Sequence, residues 1–503
     1  MPTKSFSLSK SRYMKGLQCH KALWLVTHNP SLREESEATT QAFAQGHRVG
    51  ELAQEIFPGG VLIPFDDLSY DEQLQRTQKA LATAKVIYEA AFIHNGVFVK
   101  ADIIRKVRGG WELYEVKGSS KVKDIYLDDT AVQYHVITGS GLTVTRAFVV
   151  HLNTSYCRDG ELDLDKLFTR QDVTAEVLKR QAEIKREISR QKRTLNGKMP
   201  DIDIGPWCSD PYDCDFTCHC WKDVPEDSVF DLAGKGADKF ALYGQGIVKL
   251  KDIPLDRLKG NQLQQVEAAR SKKKIVKKKG LREFLETLRY PLYFLDFETF
   301  MDSIPPYNGM KPFQQVPFQY SLHWQKKAGG TLYHTEYLAK PGIDPRSEIA
   351  DRLLKDIPEG ACVLAYWKSF EAGRTKELAE RFPGKKKRLL SIINNMVDLI
   401  EPFKARHLYS WKQKGSHSIK AVLPAFVEGM TYEGMEIGDG GAAMEAYHRM
   451  CDCADKPKEL AKIRTDLLDY CRQDTLAMVK LVEVIVEKAG NNRQGADNGN
   501  REH

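Results

Sequence analysis

Residues 291–299 read Pro291-Leu292-Tyr293-Phe294-Leu295-Asp296-Phe297-Glu298-Thr299. An apolar run of this length is a buried-strand signal, and here it ends in two acids spaced one residue apart. Alternation along a strand puts Asp296 and Glu298 on the same face. Two carboxylates on one face repel each other unless a cation sits between them. Oxygen ligands of this kind suit Mg²⁺ or Mn²⁺. Two solvated charges on an edge strand would be the plain alternative.

Around this stretch the pattern is mixed α/β. Strands are expected at 292–298, 315–324, 331–338 and 361–366, and helices at 369–382 and 456–487. The last helix carries Asp469-Tyr470-Cys471-Arg472-Gln473-Asp474-Thr475. Tyr470 and Asp474 are i and i+4, so they leave the helix on one side. Asp474 could complete a metal site, and the Tyr470 hydroxyl could position an attacking water. Taken alone, a Tyr-x-x-x-Asp pair occurs often on helix surfaces.

Together these segments resemble the DEDD exonuclease superfamily in its tyrosine-bearing subclass, an RNase H-like fold. The resemblance implies two-metal phosphodiester hydrolysis with 3′–5′ polarity. Asp296 would bridge both metals, Glu298 and Asp474 would complete one site, and Tyr470 would orient the water. The middle acid of the family pattern matches Glu371, in Ser369-Phe370-Glu371 after Val363-Leu364-Ala365-Tyr366. The family usually has Asp there, often preceded by Asn, so Asp398 in Val397-Asp398-Leu399 stands as a reserve. Ser416-His417-Ser418-Ile419-Lys420-Ala421-Val422-Leu423-Pro424 reads as an insertion before the last helices. His417 and Lys420 there can carry positive charge toward a substrate.

The N-terminal half has a second constellation. Helices are expected at 8–27 and 36–57, strands at 97–107 and 111–117 around the turn Arg108-Gly109-Gly110, a helix at 127–138, a strand at 143–152 and a helix at 171–193. Asp102 lies on the first hairpin strand, and Glu115 and Lys117 share a face of the second. Two carboxylates can bind a divalent ion, and the lysine can offset charge on a phosphate. The set resembles the RecB-like branch of the PD-(D/E)xK nucleases, a restriction-endonuclease-like fold. Gln133-Tyr134 matches that branch's glutamine motif. The resemblance implies a further metal ligand on the upstream helix, where His47 and Glu51 are i and i+4.

Of the ten cysteines, Cys208, Cys214, Cys218 and Cys220 cluster at 205–221, and Cys19 lies far upstream. Some RecB-like nucleases hold an iron–sulfur cluster with one cysteine before the nuclease core and three after it. By that resemblance Cys19, Cys208, Cys214 and Cys220 are the expected ligands, with Cys218 able to replace Cys220. Thiolates suit iron–sulfur or zinc on ligand type alone, and a compact zinc site of the four clustered cysteines is the alternative.

The whole arrangement resembles an uncharacterised bacterial family that fuses a RecB-like, cysteine-bracketed domain to a C-terminal LDFET-type exonuclease domain. The expected layout is 1–221 for the first nuclease domain and 222–290 for a helical basic connector. Residues 291–488 would form the second nuclease domain, and 489–503 a disordered tail. At 503 residues, two or three domains fit. The net charge of +7 is mild, and six lysines between Lys272 and Lys279 could supply most of it, so charge alone argues weakly for nucleic acid. No stretch reaches the roughly 20 apolar residues of a membrane span, and the N-terminus lacks a signal-peptide core, so a cytoplasmic location is expected. The function expected is a metal-dependent nuclease acting on DNA or RNA. The competing readings are one active module with a binding module, or two binding modules.

Overall fold

The computed structural model describes residues 8–34, 37–64, 68–234 and 238–490; most of the expected tail, from 491 on, lies outside the described residues. The chain is mixed α/β. It divides into two compact units, residues 1–223 with 302–314, and residues 224–301 with 315–503.

The first unit opens with α1 (Lys10–Gln18) and α2 (His20–His28), where one continuous helix is expected from the sequence. The chain breaks at Cys19, whose backbone is extended at φ −160° and ψ 121°. The Ser9 hydroxyl caps α1 by accepting from the Arg12 amide. Then follow α3 (Glu37–Glu55), α4 (Tyr70–Thr83), β1 (Val86–His94), β2 (Val97–Val107), β3 (Gly110–Lys117), α5 (Asp124–Gly139), β4 (Val144–Leu152), β5 (Phe168–Asp172) and α6 (Thr174–Asn196). β1 to β5 lie side by side in a seven-stranded sheet. β2 and β3 form the expected hairpin, with Val107 opposite Gly110. Gly109 has φ +90°, where a side chain would be strained. β3 and β4 are parallel, so the chain must cross over, and α5 is that crossover. β1 has no period-2 signal because it is buried on both faces over most of its length.

The second unit begins with residues 224–290, expected as a connector. They carry an apolar cluster of Val229, Leu232, Leu250, Ile253, Leu258 and Val266, so they are a folded part of this unit. They include α7 (Gly260–Ser271). The sheet elements are β6 (Leu292–Met301), β7 (Gln315–Gln325), β8 (Leu332–Leu338), β9 (Cys362–Ala365) and β10 (Met396–Asp398). Helices α8 (Lys368–Arg381), α9 (Gly440–Asp452) and α10 (Pro457–Ala489) surround them. The strands stack in the order 3-2-1-4-5, with β6 central. β6, β7 and β8 pair antiparallel, while β9 and β10 run parallel to β6. The register of β6 and β7 slips between Pro317 and Gln319, opposite Thr299 and Glu298. Such a bulge re-aims side chains locally.

Phe318 sits at this bulge, fully buried, with its ring stacked 4.1 Å from that of Tyr447 on α9. This stack anchors α9 on the sheet. Phe318→Ala should cost about 3–5 kcal/mol. Urea denaturation followed by circular dichroism measures the loss; an unchanged midpoint would show that the stack holds nothing in place.

Candidate functional site

β6 carries Asp296 and Glu298 into a cavity of about 550 Å³, and α10 brings Tyr470 and Asp474 to it. Glu371, in the first turn of α8, lines the same cavity. The structure therefore brings together all five residues selected from the C-terminal half. Four of them are buried, while Asp296 is partly exposed. Cys471, next to Tyr470, places its sulfur 3.6 Å from Asp296 Oδ2. Asp296, Glu298 and Cys471 have ligand atoms all within 4.8 Å of one another, the one such His, Cys, Asp or Glu group among the described residues. This group could hold a metal ion.

Asp474 Oδ1 accepts a 2.5 Å hydrogen bond from the Tyr432 hydroxyl. The Lys420 ammonium lies 5.7 Å from the Tyr470 ring centre and 5.8 Å from that of Tyr432. Glu371 Oε2 is buried without a hydrogen-bond partner. Asp398 is used otherwise: its Oδ1 accepts from the amides of Trp367 at 3.0 Å and Ile400 at 3.1 Å. Trp367 is held in the left-handed region at φ +77°, half-exposed on the cavity wall. Strain of this kind in a non-glycine residue concentrates at functional sites.

Burial dominates the electrostatics here. It holds the Asp296 and Glu298 carboxyls well above the usual range, and their acidic neighbours, Asp474 first, push the same way. Glu371 is pushed up to about 8 by burial, with Asp398 and Asp474 adding to it. Asp474 rises to about 6 through burial, opposed by the Tyr432 hydrogen bond and by Lys420. Cys471 stays a neutral thiol, raised by burial and by the acids around it. For lack of positive charge, ionisation of these carboxyls is disfavoured. A hard divalent cation with oxygen ligands answers that deficit, and the orphaned Glu371 oxygen points the same way.

The first unit also assembles its residues, with two additions. Gln133 Nε2 donates to Glu115 Oε2 at 2.6 Å and to Asp129 Oδ1 at 3.0 Å. Lys117 Nζ bridges Glu115 and Asp129, 2.6 Å from each. Lys10 Nζ does the same at 3.0 and 3.2 Å. Asp102 Oδ2 accepts from the Val116 amide at 2.7 Å. Burial and the neighbouring acids Asp102 and Asp129 push Glu115 up to about 7. Asp129 stays well below the usual range because, although burial opposes its charge, Lys10 and Lys117 flank it. Two ammonium groups thus already cover the carboxylates of Glu115 and Asp129, which the second unit's acids lack. His47 and Glu51 stand exposed on α3, and no third ligand closes on Asp102 and Glu115 among the described residues.

Asp129 could have been found by its i, i+4 relation to Gln133 on α5. Lys10 and Tyr432 carry no local signal, because each reaches its site only through long-range folding. Cys471 is three positions before Asp474 and therefore on the same helix side.

Four cysteines converge. Cys19, Cys208, Cys214 and Cys220 line one small cavity with Ala22, Leu25 and Phe216. Burial raises the thiols of Cys214 and Cys220, and Cys19 and Cys208 add to both shifts. The break at Cys19 is fixed from across the chain: Gln18 Nε2 donates to the Trp207 and Tyr212 carbonyls at 2.8 and 2.6 Å. Cys218 instead is exposed and donates to Glu34 Oε2 at 2.7 Å, so the compact set of four clustered cysteines is not assembled around one point. No three of the converging thiols have all their sulfurs within 4.8 Å of one another. A tetrahedral zinc site with Zn–S of about 2.3 Å needs sulfurs about 3.8 Å apart. A cluster with several metal corners holds its thiolates farther apart.

Because the acidic carboxyls are raised in the folded state, their stabilising protons are fully present below the unfolded values and lost as pH climbs through the folded ones. For Glu371 that window runs from 4.5 to about 8. In chelator, the melting temperature should fall between pH 5 and 8. Added Mn²⁺ should raise it by about 3 °C or more at pH 8, and less at pH 5. A flat profile with no metal effect would contradict a cation site.

A family model described as "Domain of unknown function (DUF2779)" matches residues 293–418, which take in Asp296, Glu298, Glu371 and Asp398 but stop short of Tyr470 and Asp474. The chain is also similar to the "Uncharacterized protein MG366" of Mycoplasma genitalium, 26% identical over 210 residues. That match covers 38% of this chain and 31% of the relative, so the chain spans under a third of its length.

Proposed function

We propose that the second unit is a divalent-metal-dependent 3′–5′ exonuclease of the RNase H-like, DEDD type. The observation that carries this reading is a set of four carboxyls, the buried Glu298, Glu371 and Asp474 with the partly exposed Asp296, around one cavity without enough cations to balance them. The mixed α/β sheet, with Asp296 and Glu298 on its central strand, supports the same reading. Asp296, Glu298, Asp474 and Glu371 would hold Mg²⁺ or Mn²⁺, which would neutralise charge on the scissile phosphate and lower the pKa of an attacking water.

The chain's own groups do the rest. Tyr470 is neutral and buried beside Asp474, so its hydroxyl can hold a water by hydrogen bonding. The Tyr432 hydroxyl donates to Asp474 Oδ1, and the Tyr470 side chain also hydrogen-bonds this carboxyl, so both tyrosines orient it. Lys420 supplies a positive charge at the cleft for the phosphate backbone. The half-exposed Trp367 offers a face on which a terminal base can stack.

The first unit supports a RecB-like PD-(D/E)xK nuclease reading through Asp102, Glu115, Lys117 and Gln133. The double lysine cover by Lys10 and Lys117 favours a second reading, a nucleic-acid-binding module without cleavage. The converging thiols of Cys19, Cys208, Cys214 and Cys220 support an iron–sulfur cluster that ties the two ends of this unit together, with zinc as the alternative.

Labelled single and double strands of DNA and RNA, incubated with Mn²⁺, test the main reading. Asp296→Asn should abolish release of mononucleotides, and Tyr470→Phe should slow it about 100-fold. Mononucleotide release unaffected by Asp296→Asn would overturn the assignment. Endonucleolytic cleavage that survives Asp296→Asn and vanishes in Lys117→Ala would establish activity in the first unit; its absence favours the binding role.

Protein purified without oxygen should be brown and contain iron and acid-labile sulfide, and Cys19→Ser should lose the colour. Colourless protein with stoichiometric zinc would replace the cluster by a zinc ion.

A further inference from the structure

The second unit holds another cavity, of about 310 Å³, that the acidic site does not use. Its charged lining is cationic: Lys259, Lys404 and Arg406 border it, and no Asp or Glu does among the described residues. Arg406 is the unusual member. It is only 4% exposed, with φ +50°, and its guanidinium lies 4.0 Å over the Tyr409 ring. Its Nη1 is buried with no hydrogen-bond partner, and no carboxylate pairs with it among the described residues. A buried guanidinium without a counter-charge is costly, and burial opposes its charge. Structures tolerate such a group where an anion completes it.

A second feature points into the same space. α7 begins at the cavity, and Lys259, Asn261 and Gln262 at its start all line it. No side chain caps this helix; the Gln262 amide turns back to the Lys259 carbonyl at 3.2 Å, and among the described residues the Gly260 and Asn261 amides are left for another acceptor. Lys404 and Lys259 are exposed at the rim, and Lys404 is held only by a loose 3.7 Å pair with Glu401.

We propose that this cavity binds a phosphoryl group, with Arg406 as its buried anchor, Lys259 and Lys404 as rim charges, and the start of α7 as a further donor. A planar guanidinium and free helix amides suit the oxygens of a phosphate. One short segment borders both cavities. Ser416 and His417 line the basic one, and Ile419 and Lys420 line the acidic one. The Tyr366 hydroxyl, from the wall of the acidic cleft, donates to the His417 carbonyl at 2.6 Å and joins them. The phosphoryl group therefore belongs either to a strand that also reaches the acidic cleft or to a free phosphate. The strand source rests on the nuclease reading; the phosphate chemistry does not.

The test measures binding in chelator, where metal-dependent hydrolysis plays no part. Full-length protein is titrated calorimetrically with inorganic phosphate. In a second arm, fluorescence anisotropy compares 5′-phosphorylated and 5′-hydroxyl single-stranded oligonucleotides. Arg406→Gln should weaken phosphoryl binding about tenfold or more, and Arg406→Lys should restore part of it. The Lys259→Ala/Lys404→Ala double variant, changed only at exposed positions, should weaken binding several-fold and decides the matter if Arg406→Gln fails to fold. Tighter binding of the phosphorylated strand, lost in these variants, identifies a strand terminus. Equal dependence with inorganic phosphate alone identifies the free ion. Absence of binding in both arms, or binding unchanged in the variants, overturns the site. Because no divalent ion is present, that result leaves the hydrolysis test on Asp296 standing separately.

Discussion

Mutual repulsion among buried carboxyls governs the second unit. Asp296 and Glu298 on the central strand, Glu371 at the start of α8 and Asp474 on α10 converge on one cavity. Each element is held there by apolar packing that has nothing to do with charge: the buried Leu292–Leu295 run of β6, Leu378 and Ala379 of α8, and the long apolar face of α10. The fold thus pushes like charges together, and the acids respond by holding protons. Hydrogen bonding from Tyr432 and charge from Lys420 relieve only part of the strain. Such a site is stable without a cation only at the expense of its ionisation, a cost that a bound cation would remove.

The first unit solves the same problem differently. Its acids are also buried, but Lys10 and Lys117 bridge Glu115 and Asp129, and Gln133 ties both together. Lys10 comes from the first helix, far from the hairpin that carries Glu115. The same N-terminal region brings Cys19 to Cys208, Cys214 and Cys220, so it is anchored at two places, by ion pairs to the middle of the unit and by thiols to its end. A group bound by those thiols would fix α1, and with it the position of Lys10.

Chain connectivity also explains why the segment after residue 222 is more than a spacer. Its short helices carry a core of their own, and α7 delivers its uncapped start to the cavity that holds Arg406. The lysine run between Lys272 and Lys279, read from sequence as a solvated stretch, places Lys272 over the Trp411 ring at 3.6 Å. Only part of that charge is free for a nucleic-acid backbone.

Local patterns were enough to find the residues whose neighbours lie close in the chain. The apolar run before Asp296 and Glu298 follows strand periodicity, Tyr470 and Asp474 follow helix periodicity, and Glu115, Lys117 and Gln133 lie within one hairpin and the helix after it. Mixed α/β architecture and most main strands were legible for the same reason. The break at Cys19, Asp398 as an amide acceptor, Tyr432 on Asp474 and Lys10 on Glu115 were not. Each depends on which distant segments pack together, and a one-dimensional period carries no information about that. Arg406 shows the limit most plainly: in sequence it is one arginine among many charges, and only tertiary packing buries it against Tyr409 with Nη1 unpartnered and makes its charge a demand for an anion.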